Sequence, residues 1–179
     1  MSVVYYTASS LDGFVVDGDD SLGWLLSRDI DGAAPFGYDV FRPTVGAVVV
    51  GATTLRWVLR EEGGSWPFTL PTWVFTHDDG MQVEGGDVRV VSGDVTQHHA
   101  AVVESAGDLD VWLMGGGDLA RQYADARLLD EVAVQYAPCT LGSGAPVLPT
   151  RSEWELVDHG RNGDFLCARW RVVRGSGDS

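Results

Sequence analysis

Three glycines, Gly115, Gly116 and Gly117, separate the run Val111-Trp-Leu-Met114 from Asp118-Leu-Ala-Arg-Gln-Tyr-Ala124. An apolar run that ends in a turn bare of side chains and continues as a helical pattern has the parts of an anion site. Glycine lets a backbone approach a ligand, and a helix N-terminus offers free N–H groups and the positive end of a dipole. A nucleotide pyrophosphate suits such a cradle; a tight strand-to-helix turn without ligand is the alternative. Gly51-Ala-Thr-Thr54 follows the β-branched run Val45–Val50 and has the same form with two hydroxyls added. Thr53 and Thr54 either donate to phosphate oxygens or cap the helix that follows.

The remaining reactive side chains narrow the chemistry. All 12 basic residues are arginines, so no lysine can form a Schiff base or act as a general base. Asp12 is either a functional carboxylate or a turn residue before Gly13. His77 sits in the polar turn His77–Gly80, where a surface histidine is the plain reading. His98 and His99 are neighbours on one helix and do not share a face, so they read as structural. Ser143 in the glycine-rich loop Leu141–Pro146 could touch a substrate. It has no nucleophile elbow or triad around it, which excludes a hydrolase. Cys139 and Cys167 are too few for a four-ligand zinc site and read as free, buried thiols; no metal site is expected. A net charge of −14 disfavours nucleic acid as a partner. No apolar stretch reaches the roughly 20 residues of a membrane helix. The first residues begin a strand and form no basic leader, so a cytoplasmic protein is expected.

The elements that must position these residues follow from periodicity. Strands are expected over Val3–Ala8, Val45–Val50, Thr72–Thr76, Val88–Val91, Asp110–Met114 and Glu131–Ala137. Helices are expected over Thr53–Arg60, Val95–Ala106 with Asp94 as N-cap, and Leu119–Ala126. Ser9–Gly23 reads as one long loop. Trp24–Phe41 has a helical pattern broken by Asp31-Gly-Ala-Ala-Pro35. Trp154–Asp158 and Phe165–Val173 read as closing strands with Asn162-Gly163 as their turn. Residues 1–174 read as one domain and 175–179 as a flexible tail. Strand and helix alternate and end in a hairpin, which predicts an α/β fold with a mainly parallel sheet and an antiparallel edge. Ligands in such sheets sit beyond the C-terminal strand ends, where the small polar segments at Thr7–Ser10, Gly51–Thr54, Thr76-His77 and Gly115–Gly117 fall.

Three signatures occur in a fixed order: Ser9-Ser-Leu-Asp-Gly-Phe14, Trp112-Leu-Met-Gly-Gly-Gly-Asp-Leu-Ala120, and Leu129-Asp-Glu-Val132 followed by Ala137-Pro-Cys-Thr-Leu-Gly-Ser-Gly-Ala-Pro146. Together they resemble the dihydrofolate reductase superfamily. More closely they resemble the C-terminal reductase domain of the bifunctional riboflavin-biosynthesis deaminase/reductase and its stand-alone relatives. The resemblance implies an eight-stranded, mainly parallel sheet flanked by helices, and NADPH bound across its strand ends. It places Ala8 at the nicotinamide carboxamide and Leu11, Asp12 and Gly13 in a loop closing over nicotinamide and substrate. It places Gly51, Thr53, Thr54 and Leu55 at the pyrophosphate, and Thr76 and His77 near the adenosine ribose. Met114, Gly115, Gly116, Gly117, Asp118 and Leu119 would complete the cofactor site. Trp24 matches a tryptophan of the active-site loop. Asp29, five positions later, matches a substrate-binding carboxylate that could relay a proton.

The chain departs from the family after the second long strand. Many relatives carry Gly-Arg-Lys-Thr there, and this chain carries Gly51-Ala-Thr-Thr54, so the arginine that would grip a 2′-phosphate is missing. NADH therefore stays possible beside NADPH, with His77 and Arg56 as substitutes for the missing cation. A substrate phosphate would need Arg28 or Arg42. No deaminase segment or zinc motif occurs within the chain. The reading is an NAD(P)H-dependent reductase of a small heterocyclic or carbonyl substrate, similar to 5-amino-6-(5-phosphoribosylamino)uracil reductase or dihydrofolate reductase. The alternative is a non-catalytic nucleotide-binding or dimerising protein on the same scaffold. The relatives imply a homodimer.

Overall fold

Val45-Gly-Ala-Val-Val-Val50 is buried at every position, as a central strand covered on both faces must be. In the computed structural model, which describes residues 1–19, 21–78 and 80–174, this run is β3 (Val45–Gly51). It pairs in parallel with β4 (Thr72–Phe75) and with β6 (Asp110–Gly115). β1 (Val3–Ser9) runs parallel between β6 and β7 (Glu131–Tyr136), and β5 (Val88–Val91) runs parallel beside β4. The hairpin of β9 (Trp154–Asn162) and β10 (Phe165–Val172) adds an antiparallel edge against β7. The eight-stranded order is β5-β4-β3-β6-β1-β7-β10-β9. The expected α/β fold, mainly parallel and closed by an antiparallel C-terminal hairpin, is the fold observed.

Alternation along each strand divides the core in two. Val3, Tyr5, Val49, Leu113 and Val132 face α4 (Val95–Ala106) and α5 (Gly117–Asp125) and pack on Val102, Ala120 and Tyr123. Val48, Val50 and Trp112 face the other way, against Leu55 of α3 (Ala52–Glu61) and against Trp66. Both layers exclude water from the strands, so the sheet is rigid where its ends carry the loops. The N-cap of α4 is Asp94, whose Oδ1 accepts from Thr96 N at 2.8 Å.

Four expectations shift. The long loop after β1 contains a short strand, β2 (Phe14–Val16), and the glycine-rich loop contains β8 (Ala145–Pro146); the two pair as an antiparallel ribbon. Helix α5 begins at Gly117 rather than Leu119, with Gly116 as N-cap, because the last two glycines take the helix start. The hairpin turns at Gly163-Asp164, one residue later than read, because Asn162 is spent on β9. Its buried side chain donates to Asp31 O at 2.8 Å and to Pro35 O at 3.3 Å. The segment Trp24–Phe41 holds only two single-turn helices, α1 (Gly23–Leu26) and α2 (Tyr38–Phe41). Between them the chain is held by side chains instead of by helix bonds: Tyr6 Oη and Gln135 Nε2 both donate to Phe36 O. Residues 175–179, read as a flexible tail, lie outside the described residues.

Candidate functional site

Every parallel strand points its C-terminal end to one edge of the sheet, and a crevice of about 780 Å³ opens there. Its floor is built by the two glycine turns. α3 and α5 both begin on it, and both have glycine N-caps, Gly51 and Gly116, with no side-chain cap. The threonines therefore do not cap α3. The first-turn N–H groups of two helices, with their positive dipole ends, aim into one space.

The three glycines are needed for three different reasons. Gly115 has φ +135°, a backbone open only to glycine without strain. Gly117 is forced by packing: a Cβ there would lie 2.1 Å from Pro146 O. Gly116 is under neither constraint. A Cβ on it would meet nothing nearer than Thr54 Oγ1 at 3.9 Å, so a side chain there would fill the crevice rather than the protein. Close approach to a ligand, the reason inferred for all three, fits Gly116. The Gly115–Gly116 peptide is cis.

Charge is distributed unevenly. Arg56, His77, Asp78 and Asp118 line the ends of β4, β3 and β6, and Val15, Val16, Leu22 and Ala145 cover the opposite side as an apolar flap. Asp118 turns along its own helix, accepting from Arg121 Nη2 at 2.8 Å and Gln122 Nε2 at 2.9 Å; those bonds, Arg121 first, lower its pKa. An anion at the helix ends therefore meets a carboxylate already paired. The donor set, two open helix N-termini with the Thr53 and Thr54 hydroxyls beside them, fits a pyrophosphate.

Of the expected cofactor residues, Gly51, Thr53, Thr54, Thr76, His77, Gly116, Gly117, Asp118 and Leu119 line this one crevice. Leu55 does not; it is wholly buried in the core beneath α3, and Met114 packs in the same layer. Gly115 is buried behind the floor, and Ala8 stands on β1, paired with Gln135. Leu11 is exposed, its amide bonded to Cys139 O at 2.8 Å. Gly13 O accepts from Val147 N at 2.8 Å, so it joins the flap without lining the crevice.

Asp12 is a fastener between two loops. Its carboxylate accepts from Ser10 Oγ at 2.6 Å, Leu141 N at 3.0 Å and Gly142 N at 2.7 Å. These bonds, the Ser10 hydroxyl first, hold its pKa down to about 2. The carboxylate is spent on these bonds and does not line the crevice; it ties the loop before β2 to the loop before β8. Asp29 is not brought to the crevice either. It is exposed, and its backbone is tied to the β9–β10 turn through Asp164 Oδ2 at 3.1 Å. The broken helix is the cause: after α1 the chain runs to the β9–β10 turn, and it packs on the sheet again only from Phe36 to Phe41, beyond Asp29. Trp24 packs beside Phe165 and Cys167, and Ser143 is exposed next to Gly18. Neither reaches the crevice.

Sequence reading missed Val15, Val16, Leu22, Trp57, Phe75, Gly93 and Gln122, which also line it. Gln122 and Trp57 had a usable signal, being one turn beyond Asp118 and Thr54 on the same helix faces. The flap residues had none, because they come from two segments that both read as loop.

The chain has clear relatives. The family profile of the RibD C-terminal domain matches residues 65–157. YwjB of Bacillus subtilis (strain 168) is 30% identical over 146 residues, 80% of each chain. Among solved structures, a Shewanella sp. PV-4 protein assigned to riboflavin biosynthesis superposes with a TM-score of 0.81 at 24% identity, covering 97% of this chain and 100% of its own. Dihydrofolate reductase from Enterococcus faecalis, complexed with NADP(H), superposes with a TM-score of 0.62 at 15% identity and covers 97% of both chains. At these identities the two structures speak for the fold. Among the described residues no helix is long and apolar enough to cross a membrane, and no cluster of side chains could hold a metal ion.

Proposed function

Because the chain belongs to the RibD C-terminal domain family, whose scaffold is that of a riboflavin-pathway reductase, we propose that it is an NAD(P)H-dependent reductase of a small heterocyclic or carbonyl substrate. The observation that carries this reading is the pair of helix N-termini with glycine caps opening on one crevice. In it the pyrophosphate is held by the first turns of α3 and α5 and by the Thr53 and Thr54 hydroxyls. The adenosine end rests by Thr76 and His77, and the nicotinamide end under the apolar flap. The cofactor supplies the hydride.

The chain's own part is binding, orientation and exclusion of water. Asp12 holds the loop of β2 to the loop of β8, and Val15, Val16 and Ala145 then shield the nicotinamide end from solvent. In this reading the chain works as a cytoplasmic homodimer, consistent with unpaired Cys139 and Cys167 and with Leu156 and Leu166 exposed on the edge hairpin. The second reading, a nucleotide-binding protein without turnover, draws on one fact: neither carboxylate expected to serve as an acid lines the crevice. Titration with NADPH and NADH by quenching of tryptophan fluorescence tests the first reading, followed by oxidation of the bound dinucleotide against a panel of pyrimidine, pterin and carbonyl substrates. Binding and oxidation support the reductase. Binding without oxidation across the panel supports the second reading, and no binding overturns both.

A further inference from the structure

Arg56 is the one arginine lining the crevice among the described residues, and it stands on α3 one helical turn past Ala52. That turn carries it along α3 to the end of β4, where its Nη2 donates to Asp78 Oδ2 at 3.3 Å. The two partners are held differently. Asp78 is fixed by the turn after β4: its amide donates to Thr76 Oγ1 at 3.0 Å, and its Oδ1 accepts from Gly80 N at 3.2 Å. Among the described residues the guanidinium makes this single long contact, from a flexible stem. Both side chains are more than half exposed, 57% for Arg56 and 52% for Asp78, so a ligand can part them at little cost.

A ribose 2′-hydroxyl is a donor and seeks a carboxylate; a 2′-phosphate is a dianion and seeks a guanidinium. The adenosine end of this crevice presents both groups, each cancelling the other's charge. We infer that the Arg56–Asp78 pair selects at the ribose 2′ position and holds the protein near parity between NADH and NADPH, in place of the strong preference that a lone arginine would give. The inference rests on the dinucleotide reading above. With NADH, Asp78 accepts from the 2′-hydroxyl while Arg56 stays paired. With NADPH, Arg56 turns from Asp78 to the phosphate, and Asp78 repels it.

Dissociation constants of NADH and NADPH, measured by fluorescence quenching and calorimetry without any substrate, test this in wild type, Arg56→Gln and Asp78→Asn. Wild type should bind the two within about ten-fold of each other, since neither charge acts unopposed. Arg56→Gln should weaken NADPH by roughly ten-fold and leave NADH within about three-fold, and Asp78→Asn should tighten NADPH by roughly ten-fold and weaken NADH. Both residues are exposed, so melting temperatures should not move. A wild-type preference beyond about a hundred-fold, or an unchanged ratio in both variants, overturns this inference while leaving the dinucleotide reading in place. Failure of folded wild type to bind either dinucleotide overturns both.

Discussion

Alanine at Gly116 and alanine at Gly117 should fail in opposite ways. A methyl group at Gly117 would sit 2.1 Å from Pro146 O and 3.0 Å from Val147 O. Carbon and oxygen do not approach closer than about 3.3 Å even in weak hydrogen bonds, so the β8 segment must move by about 1 Å or more. Overpacking of that kind costs about 1–3 kcal/mol. In a chain of 179 residues each kcal/mol lowers Tm by roughly 2–4 °C. Gly116 has φ −85° and ψ −171°, which alanine adopts freely, and its methyl would contact only Thr54 Oγ1 at 3.9 Å. Gly116→Ala should therefore stay within about 1 kcal/mol of wild type, the cost of a changed N-cap. Its methyl occupies the place proposed for the pyrophosphate, so dinucleotide affinity should fall by ten-fold or more, about 1.4 kcal/mol. Differential scanning calorimetry and NADPH titration on both variants separate the two effects. Wild-type melting in Gly117→Ala, or wild-type binding in Gly116→Ala, refutes the division of roles among the three glycines.

Asp12→Ala should release the flap: the amides of Leu141 and Gly142 lose hydrogen-exchange protection. The same link is pH-dependent. Its folded pKa of about 2 lies below the ordinary carboxylate value of 3.8, so the stabilisation is complete above pH ~4 and lost as pH falls through about 2. Amide exchange of those two residues against pH reads it directly, and exchange that stays flat across that window contradicts the role. Leu113→Ala, at a fully buried position between β1 and β3, should cost about 2–5 kcal/mol in chemical denaturation. Thiol titration should find Cys167 unreactive in the native state, since it is 1% exposed and burial raises its pKa, and fully reactive in denaturant.

What could be read in the sequence were elements whose own residues decide them. Val45–Val50 is β-branched throughout, and Asp94 caps α4 through its own carboxylate, so both fall where periodicity and capping place them. The crevice floor was legible for the same reason, since a glycine after an apolar run marks a strand end locally. The flap was not. β8 is two residues long and exists only because Phe14–Val16 lies beside it, a pairing over some 130 positions that no local pattern records. Asp29 misled because its spacing from Trp24 presumes a continuous helix, and Asp31-Gly-Ala-Ala-Pro35 removes that helix. Asp12 was legible as a residue, but its bonding partners were not. Its partners are amides at 141 and 142, far along the chain.

The strand order also bears on how the chain comes together. β1 is made first and sits between β6 and β7; Ser2 N bonds Asp110 Oδ1 and Val3 N bonds Asp130 Oδ2, partners 108 and 127 residues away. Until those later strands emerge, Val3-Val-Tyr-Tyr6 has no strand on either side, and Val45–Val50 has only β4. Long-range parallel pairing of this kind is slow, and it leaves apolar strands open to other chains in the meantime. During synthesis this protein should therefore pass through an aggregation-prone interval that ends only as β7 docks. Yield at high expression temperature should depend on chaperone supply more than on the stability of the finished fold.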